Sequence, residues 1–282
     1  MPVEAAPDSP VARLGVAEGS VAGVPATCEH QGVRSGDDAA GTRFGVGAGY
    51  AVYRGPSVDG SVHRHAAFQI AIAAGPGETG EVAMVDSGGL QHRAPALLVP
   101  PMLRHRLLRT QDLLVFFVDP HCAFADRLRE RRGTGITAAP ELRGLAEDDV
   151  RPAGARPSDE LDPRLLAAMD IVSRQDLPMP ELAAAVGLSP QRLRALARAQ
   201  LGLPLVRWRL WLRLRRAAEA LREGCPPAEA AVLGGFADQA HFTREMGEMI
   251  GLTPAAVAPV VRPARHGSGA ARDVHGEGTR ER

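Results

Sequence analysis

Four polar side chains recur at a spacing that suits a pocket or a metal site: His63 and His65, then Gln69, then His105 behind the run Pro100-Pro101-Met102-Leu103-Arg104. On a continuous strand, residues 63, 65 and 69 share one face because side chains alternate with a period of two. Three imidazoles suffice in kind for zinc, iron or nickel, but the neutral Gln69 brings no negative charge to offset the desolvation of a dication. His63, His65, Gln69 and His105 are therefore read as polar handles of an effector pocket, with no metal and no other cofactor. No Ser/His/Asp set or carboxylate pair surrounds His241, and Cys28, Cys122 and Cys225 contain no CxxC pair. Catalytic residues, a disulfide framework and a zinc finger are accordingly not assigned, and the chain is not read as an enzyme.

A second chemistry is electrostatic. The 282-residue chain balances 33 basic against 33 acidic residues, every basic one an arginine. Between Arg192 and Arg222, nine arginines face one acid, Glu219. The arginine fork suits phosphate. On a helix, Arg209, Arg213 and Arg216, at spacings of four and three, form one stripe.

The elements that must position these groups fall into two halves. Apolar residues make up 45% and charged residues 23% of the chain, the composition of a globular protein long enough for two domains. Its longest run of large apolar residues, Leu113 to Val118, is far too short to cross a bilayer, and the N-terminus lacks a basic patch followed by an apolar core. A cytoplasmic protein without membrane contact is expected. Residues 1–42 and 261–282, rich in small and polar residues, are expected to be disordered.

Within 43–120, five runs have β character: Phe44 to Tyr53, Ala66 to Ala73, Glu81 to Asp86, Ala96 to Pro100 and Leu113 to Val118. Turn signals such as Gly75-Pro76-Gly77 and Gly88-Gly89 separate them, which predicts a small sandwich or barrel. Residues 121–157 are read as a helix over His121 to Arg132 followed by a linker, with a short helix near Pro140 to Glu147. Residues 158–260 read as helical throughout. Asp162-Pro163, Ser189-Pro190 and Thr253-Pro254 each place a capping side chain before a first-turn proline, and Gly187, Gly202, Gly224 and Gly251 sit where helices should stop. The punctuation predicts helices at 163–174, 179–186, 190–201, 204–223, 227–233, 239–250 and 254–258.

Two segments of this half repeat at an offset of 48 to 49 residues. Ala183, Gly187, Leu188, Leu193, Ala197 and Gly202 correspond to Ala231, Gly235, Phe236, Phe242, Met246 and Gly251. Each unit is a short helix, a glycine turn and a longer helix, the pattern of a helix-turn-helix. Its longer helix can enter a DNA major groove. With Leu193, Leu196 and Ala197 packed inward, Gln191, Arg192, Arg194 and Arg198 face out. In the second unit, Phe242, Met246 and Met249 turn inward and Gln239, Ala240, Thr243 and Arg244 outward. The helix joining the copies is roughly 30 Å long, close to one turn of B-DNA.

Residues 162–257 resemble the DNA-binding region of the AraC/XylS family of bacterial transcription regulators. The resemblance is carried by Leu182-Ala183, Gly187-Leu188-Ser189, Arg213-Leu214, Gly235-Phe236-Ala237-Asp238, His241-Phe242-Thr243-Arg244 and Gly251-Leu252-Thr253-Pro254. The chain departs from the family pattern at Ala195, Ala197, Gly234, Met246-Gly247 and Ala258. The His-x-His-x3-Gln spacing and later His105 resemble the two cupin motifs, and the sensor domain often fused ahead of an AraC-type region. These resemblances imply an N-terminal all-β cupin-like barrel and a C-terminal all-α domain with two helix-turn-helix units joined by a long helix. They imply a regulator, more commonly an activator, with double-stranded DNA, a small-molecule effector, a second copy of the chain and RNA polymerase as partners. Phosphate contacts would fall to Arg209, Arg213 and Arg216. The competing class is a metal-dependent cupin enzyme with an accessory DNA-binding region.

Overall fold

The computed structural model describes residues 42–57, 59–75 and 80–261. The expected disorder of the terminal segments before Thr42 and beyond Val261, Cys28, and the Pro76-Gly77 part of the turn signal lie outside these residues. The β elements are β1 (Arg43–Gly47), β2 (Tyr50–Gly55), β3 (Phe68–Ala73), β4 (Val82–Asp86), β5 (Gln91–Ala94), β6 (Ala96–Val99), β7 (His105–Leu107), β8 (Leu113–Val118) and β9 (Thr137–Ala138). They form two antiparallel sheets, ordered β1-β2-β8-β3-β6-β9 and β5-β4-β7.

Alternation divides the larger sheet into two apolar faces. Tyr50, Val52, Phe68, Ile70, Ile72, Leu98, Phe116 and Val118 point to one side. There they are covered by α1 (Ala123–Arg131) through Phe124 and Leu128, and by α2 (Glu147–Gly154) through Val150 and Ala153. Ala71, Ala73, Leu97, Val99, Leu113 and Val115 point to the other, against Val82, Met84 and Ala94 of the smaller sheet. Gln69 has the parity of this second, inter-sheet face, paired in register with Val99 and Phe117.

The expected single run over Phe44 to Tyr53 is a hairpin, and the run expected from Ala66 begins as a strand only at Phe68. In the linker, a 3-10 turn at Pro140–Leu142 precedes α2, which contains Pro152 and Gly154. Asp149 stabilises the start of α2 by accepting the Ala146 amide at 2.8 Å.

The helical half comprises α3 (Pro163–Arg174), α4 (Met179–Ala185), α5 (Pro190–Leu201), α6 (Leu205–Arg222), α7 (Pro227–Gly234), α8 (Gln239–Ile250) and α9 (Pro254–Val261). Four starts are capped by side chains: Asp162 accepts the Arg164 amide (2.9 Å), Ser189 that of Arg192 (3.2 Å), Asp238 that of His241 (2.7 Å) and Thr253 that of Ala256 (3.3 Å). One core joins all of these helices. Trp208 and Trp211 lie three residues apart on α6 and are both buried, so α6 is covered over a broad arc. That arc also meets the β half, whose Ala66 and Ala67 enter the helical core.

Candidate DNA-reading face and effector cavity

The two expected helix-turn-helix units repeat at the level of single hydrogen bonds. In the first, the Gly187 amide donates to Ala184 O (3.1 Å) and the Leu188 amide to Ala183 O (2.9 Å). In the second, the Gly235 amide donates to Val232 O (2.9 Å) and the Phe236 amide to Ala231 O (2.9 Å). Gly187 and Gly235 hold φ of +65° and +84°, the left-handed conformation that glycine adopts without strain. Leu193, Leu196 and Ala197 of α5 and Phe242, Met246 and Met249 of α8 are buried. The opposite sides present Gln191, Arg192, Arg194 and Arg198 on α5, and Gln239, Ala240 and Arg244 on α8, all exposed. Thr243 is half-buried, and its hydroxyl donates to Gln239 O at 2.8 Å.

Gly234, one of the departures from the family pattern, is explained by close packing. A Cβ there would lie 2.8 Å from Ala217 Cβ and 2.9 Å from Arg213 O, on the surface of α6. Gly234→Val should therefore destabilise the protein by about 1–3 kcal/mol through overpacking, read as a lower midpoint in thermal or urea unfolding. An unchanged midpoint would mean that α7 is free to move off α6.

The arginine stripe is placed differently from the expectation. Arg209 and Arg213 both pair with Asp176 at 2.7 Å, and Arg209 also donates to Leu177 O at 2.8 Å. Arg216 reaches Ser173 O at 3.5 Å. Arg209 and Arg213 thus tie α6 to the turn between α3 and α4. Asp176 lies 37 residues before Arg213, too far along the chain for helical periodicity to reveal the pairing.

A cavity lies at the junction of the β half with the helices. Its volume is about 280 Å³, and it is walled by β-half residues such as Phe44, Val115 and Phe117, and by Trp211 and Leu214 of α6, Met246 and Ile250 of α8 and Val257 of α9. His63, His65 and Gln69 supply polar atoms to the wall. Arg215 also lines it, but its guanidinium is committed to Asp119 and to Gly47 O (2.7 Å). The helical contribution to this wall was missed by the sequence reading, although the buried arc of α6, with Trp208 and Trp211, was its visible trace.

The three histidines converge without the continuous strand expected for them. His63 lies ahead of β3 in a single two-way bridge to His105, with amide-to-carbonyl distances of 2.9 and 3.0 Å. His65 precedes the strand as well, its carbonyl accepting the Met102 amide at 2.7 Å. Ring centroids are 4.7 Å apart for His63 and His65, 4.6 Å for His63 and His105, and 5.3 Å for His65 and His105. His63 Nδ1 meets Ser61 O at 2.7 Å and His105 Nδ1 meets Leu103 O at 3.0 Å. In each, Nδ1 must carry the proton, which leaves Nε2 with a free lone pair. His65 has the Met249 carbonyl and the Gln69 side chain as hydrogen-bonding neighbours. Burial holds all three imidazoles below their ordinary range, His105 down to about 4.

The same segment docks onto the end of α8. Ser61 Oγ donates to Gly251 O (3.4 Å) and the Arg64 amide to Glu248 O (3.4 Å). The Arg64 guanidinium lies 2.7 Å and that of Arg207 3.0 Å from Glu248 Oε1. Arg64 in particular, with Arg207, holds the Glu248 carboxyl below its usual range. Gly251 has φ of +77°, and a Cβ there would stand 2.6 Å from His63 Nδ1, so this contact requires glycine.

A family model described as a helix-turn-helix domain matches residues 182–258, which contain both units. Residues 182–258 thus form a helix-turn-helix domain that contains two such units. The described chain, mostly β before mostly α, has the two-domain fold of ToxT from Vibrio cholerae. A ToxT crystal structure matches 75% of this chain and 98% of its own, at 8% identity and TM-score 0.50. ToxT with an unsaturated fatty acid bound, from Vibrio cholerae strain SCE256, matches 74% of this chain and 94% of its own, at 10% identity and TM-score 0.48. A transcriptional regulator with an AraC-type DNA-binding domain from Chromobacterium violaceum matches 37% of this chain and 96% of its own, at 25% identity and TM-score 0.34. No curated protein sequence matches the chain. Among the described residues, no helix is long and apolar enough to cross a membrane.

Proposed function

We propose that this chain is a sequence-specific regulator of transcription that binds double-stranded DNA through α5 and α8 and is controlled by a small molecule in the cavity between its halves. The observation that carries this reading is the pair of matched helix-turn-helix units on one scaffold helix, each with an exposed polar face aimed away from the core. The 18 residues of α6 span about 27 Å, which suits two consecutive major grooves. Bases are read by Gln191, Arg194 and Arg198 on α5 and by Gln239, Ala240 and Arg244 on α8, with Arg192 and Arg216 toward phosphate. The apolar wall and its histidine and glutamine edge favour a mostly apolar effector with a polar head. Cytoplasmic location, a homodimer, contact with RNA polymerase and activation rather than catalysis complete the proposal, on the strength of the family resemblance.

Footprinting of the full chain on promoter fragments tests it. Each monomer should protect an asymmetric site covering two successive major grooves on one face of the duplex. Protection of a single groove would reduce the second unit to a structural role. Substrate turnover by the protein in the absence of DNA would instead favour an enzyme.

A further inference from the structure

The two exposed helix faces carry different chemistry at equivalent places. The repeat aligns Leu193 with Phe242 and Ala197 with Met246, so Gln191, Arg194 and Arg198 of α5 correspond to Ala240, Thr243 and Gly247 of α8. Where α5 presents an amide and two guanidiniums, α8 presents two methyl groups and bare backbone. Thr243 spends its hydroxyl inside the helix, on Gln239 O at 2.8 Å, so the methyl is what it offers a base. Gly247 has no packing reason within the chain: a Cβ there would meet nothing within 4 Å, in contrast to Gly234 and Gly251. Glycine inside a helix is destabilising, and this one removes bulk from the side turned away from the core. Short side chains touch a base only if the helix itself lies close to the groove floor, and the missing side chain at 247 permits that approach. His241, the counterpart of Arg192, is tied to its own unit, with Nδ1 accepting the Ala237 amide at 3.4 Å and its ring set edge-on to Phe236.

In the major groove, alanine and threonine methyls complement one feature, the C5-methyl of thymine. Arginine and glutamine instead complement purine edges, the N7 and O6 of guanine or the N7 and N6 of adenine. We propose that α8 recognises thymine methyl groups through Ala240 and Thr243, whereas α5 recognises purine edges, so that the two halves of the DNA site differ in chemistry as well as in sequence. Gln239 and Arg244, both exposed, are the long polar side chains that α8 keeps beside this methyl surface. The inference rests on the DNA-binding reading and names what each half of that site takes.

The test uses the full-length chain and the promoter fragment it protects, resynthesised with deoxyuridine in place of thymidine in one major groove at a time. Uracil keeps every hydrogen-bonding group of thymine and lacks only the methyl. Burial of one methyl predicts a loss of about fourfold for each thymine contacted by α8, against less than about twofold in the groove covered by α5, which Arg194→Ala identifies. Thr243→Ser keeps the hydroxyl and deletes the methyl. It should weaken binding to the thymine duplex by about fourfold and leave binding to the uracil duplex unchanged, and the second result also shows that the variant is folded. Ala240→Gly should behave in the same way at its own thymine. Equal affinity of the natural chain for thymine and uracil duplexes would overturn the inference, as would a uracil penalty that persists undiminished in both variants. Retention of the promoter fragment without any uracil effect fails this inference alone, whereas a natural chain that retains no fragment fails the regulator reading and this inference with it.

Discussion

Arg215→Ala should lower folding stability by about 3–5 kcal/mol, because it strands a buried carboxylate. Asp119, at the end of β8, is 1% exposed. It accepts a hydrogen bond from Trp211 Nε1 at 2.9 Å and pairs with the Arg215 guanidinium, which also donates to Gly47 O at the end of β1. The node thus ties the β half to α6 at one point. Removing the cation leaves Asp119 with the indole donor and the backbone around it, whereas removing the anion leaves an arginine that still reaches solvent. Asp119→Ala should therefore cost less than Arg215→Ala, and the double variant Asp119→Asn/Arg215→Met should recover most of the loss. Urea unfolding of the natural chain and the three variants tests this order of stabilities. A loss below about 1 kcal/mol for Arg215→Ala would show that water reaches Asp119 and that the halves separate readily.

Arg194→Ala and Gln191→Ala should each weaken binding to the preferred site by about 1–3 kcal/mol and flatten the preference at one base pair. Both side chains stand exposed on the first turn and a half of α5, on the side opposite the buried Leu193 and Leu196. Arg209→Ala and Arg213→Ala provide the contrast. Phosphate contacts give a salt slope of about −0.9 each, but these two guanidiniums are occupied by Asp176, so the slope should stay unchanged when they are removed. Asp176 is 60% exposed, and the stability lost with either pair should be no more than about 1 kcal/mol. Competition binding at several salt concentrations separates the outcomes. Equal loss on every sequence for Arg194→Ala would place that side chain on phosphate, and a slope reduced by about one for Arg213→Ala would show that Asp176 releases it to DNA.

What could be read from the sequence divides along physical lines. The helices of the second half announce themselves through capping side chains, first-turn prolines and terminal glycines, all local chemistry, and α3, α5 and α8 have the bounds read from the sequence. The repeat was legible because both units obey the same packing rule at Ala183 and Ala231. β5, with Gln91, His92 and Arg93, and β7, with Arg106, carry too little apolar alternation to be recognised, since pairing with β4 rather than burial defines them. α2 was hidden by Pro152 and Gly154, residues that disfavour helices in isolation but fit beneath the sheet through Val150 and Ala153. Spacing named the three histidines, whereas the cavity beside them required the packing of α6, α8 and α9. No local pattern carries that information.

The docking of Arg64 on Glu248 joins residues 184 positions apart, and that of Ser61 on Gly251 joins residues 190 apart. At about 5–20 residues per second, the ribosome needs roughly 10–40 s to deliver the second partner after the first. Until the end of α8 and α9 follow, the wall formed by Ile250 and Val257 is missing and the cavity stays open on that side. A chain truncated before Glu248 would keep Trp211 and Leu214 of the wall but lack Ile250 and Val257, so that side of the cavity would stay open and the chain would be a substrate for chaperones and proteases.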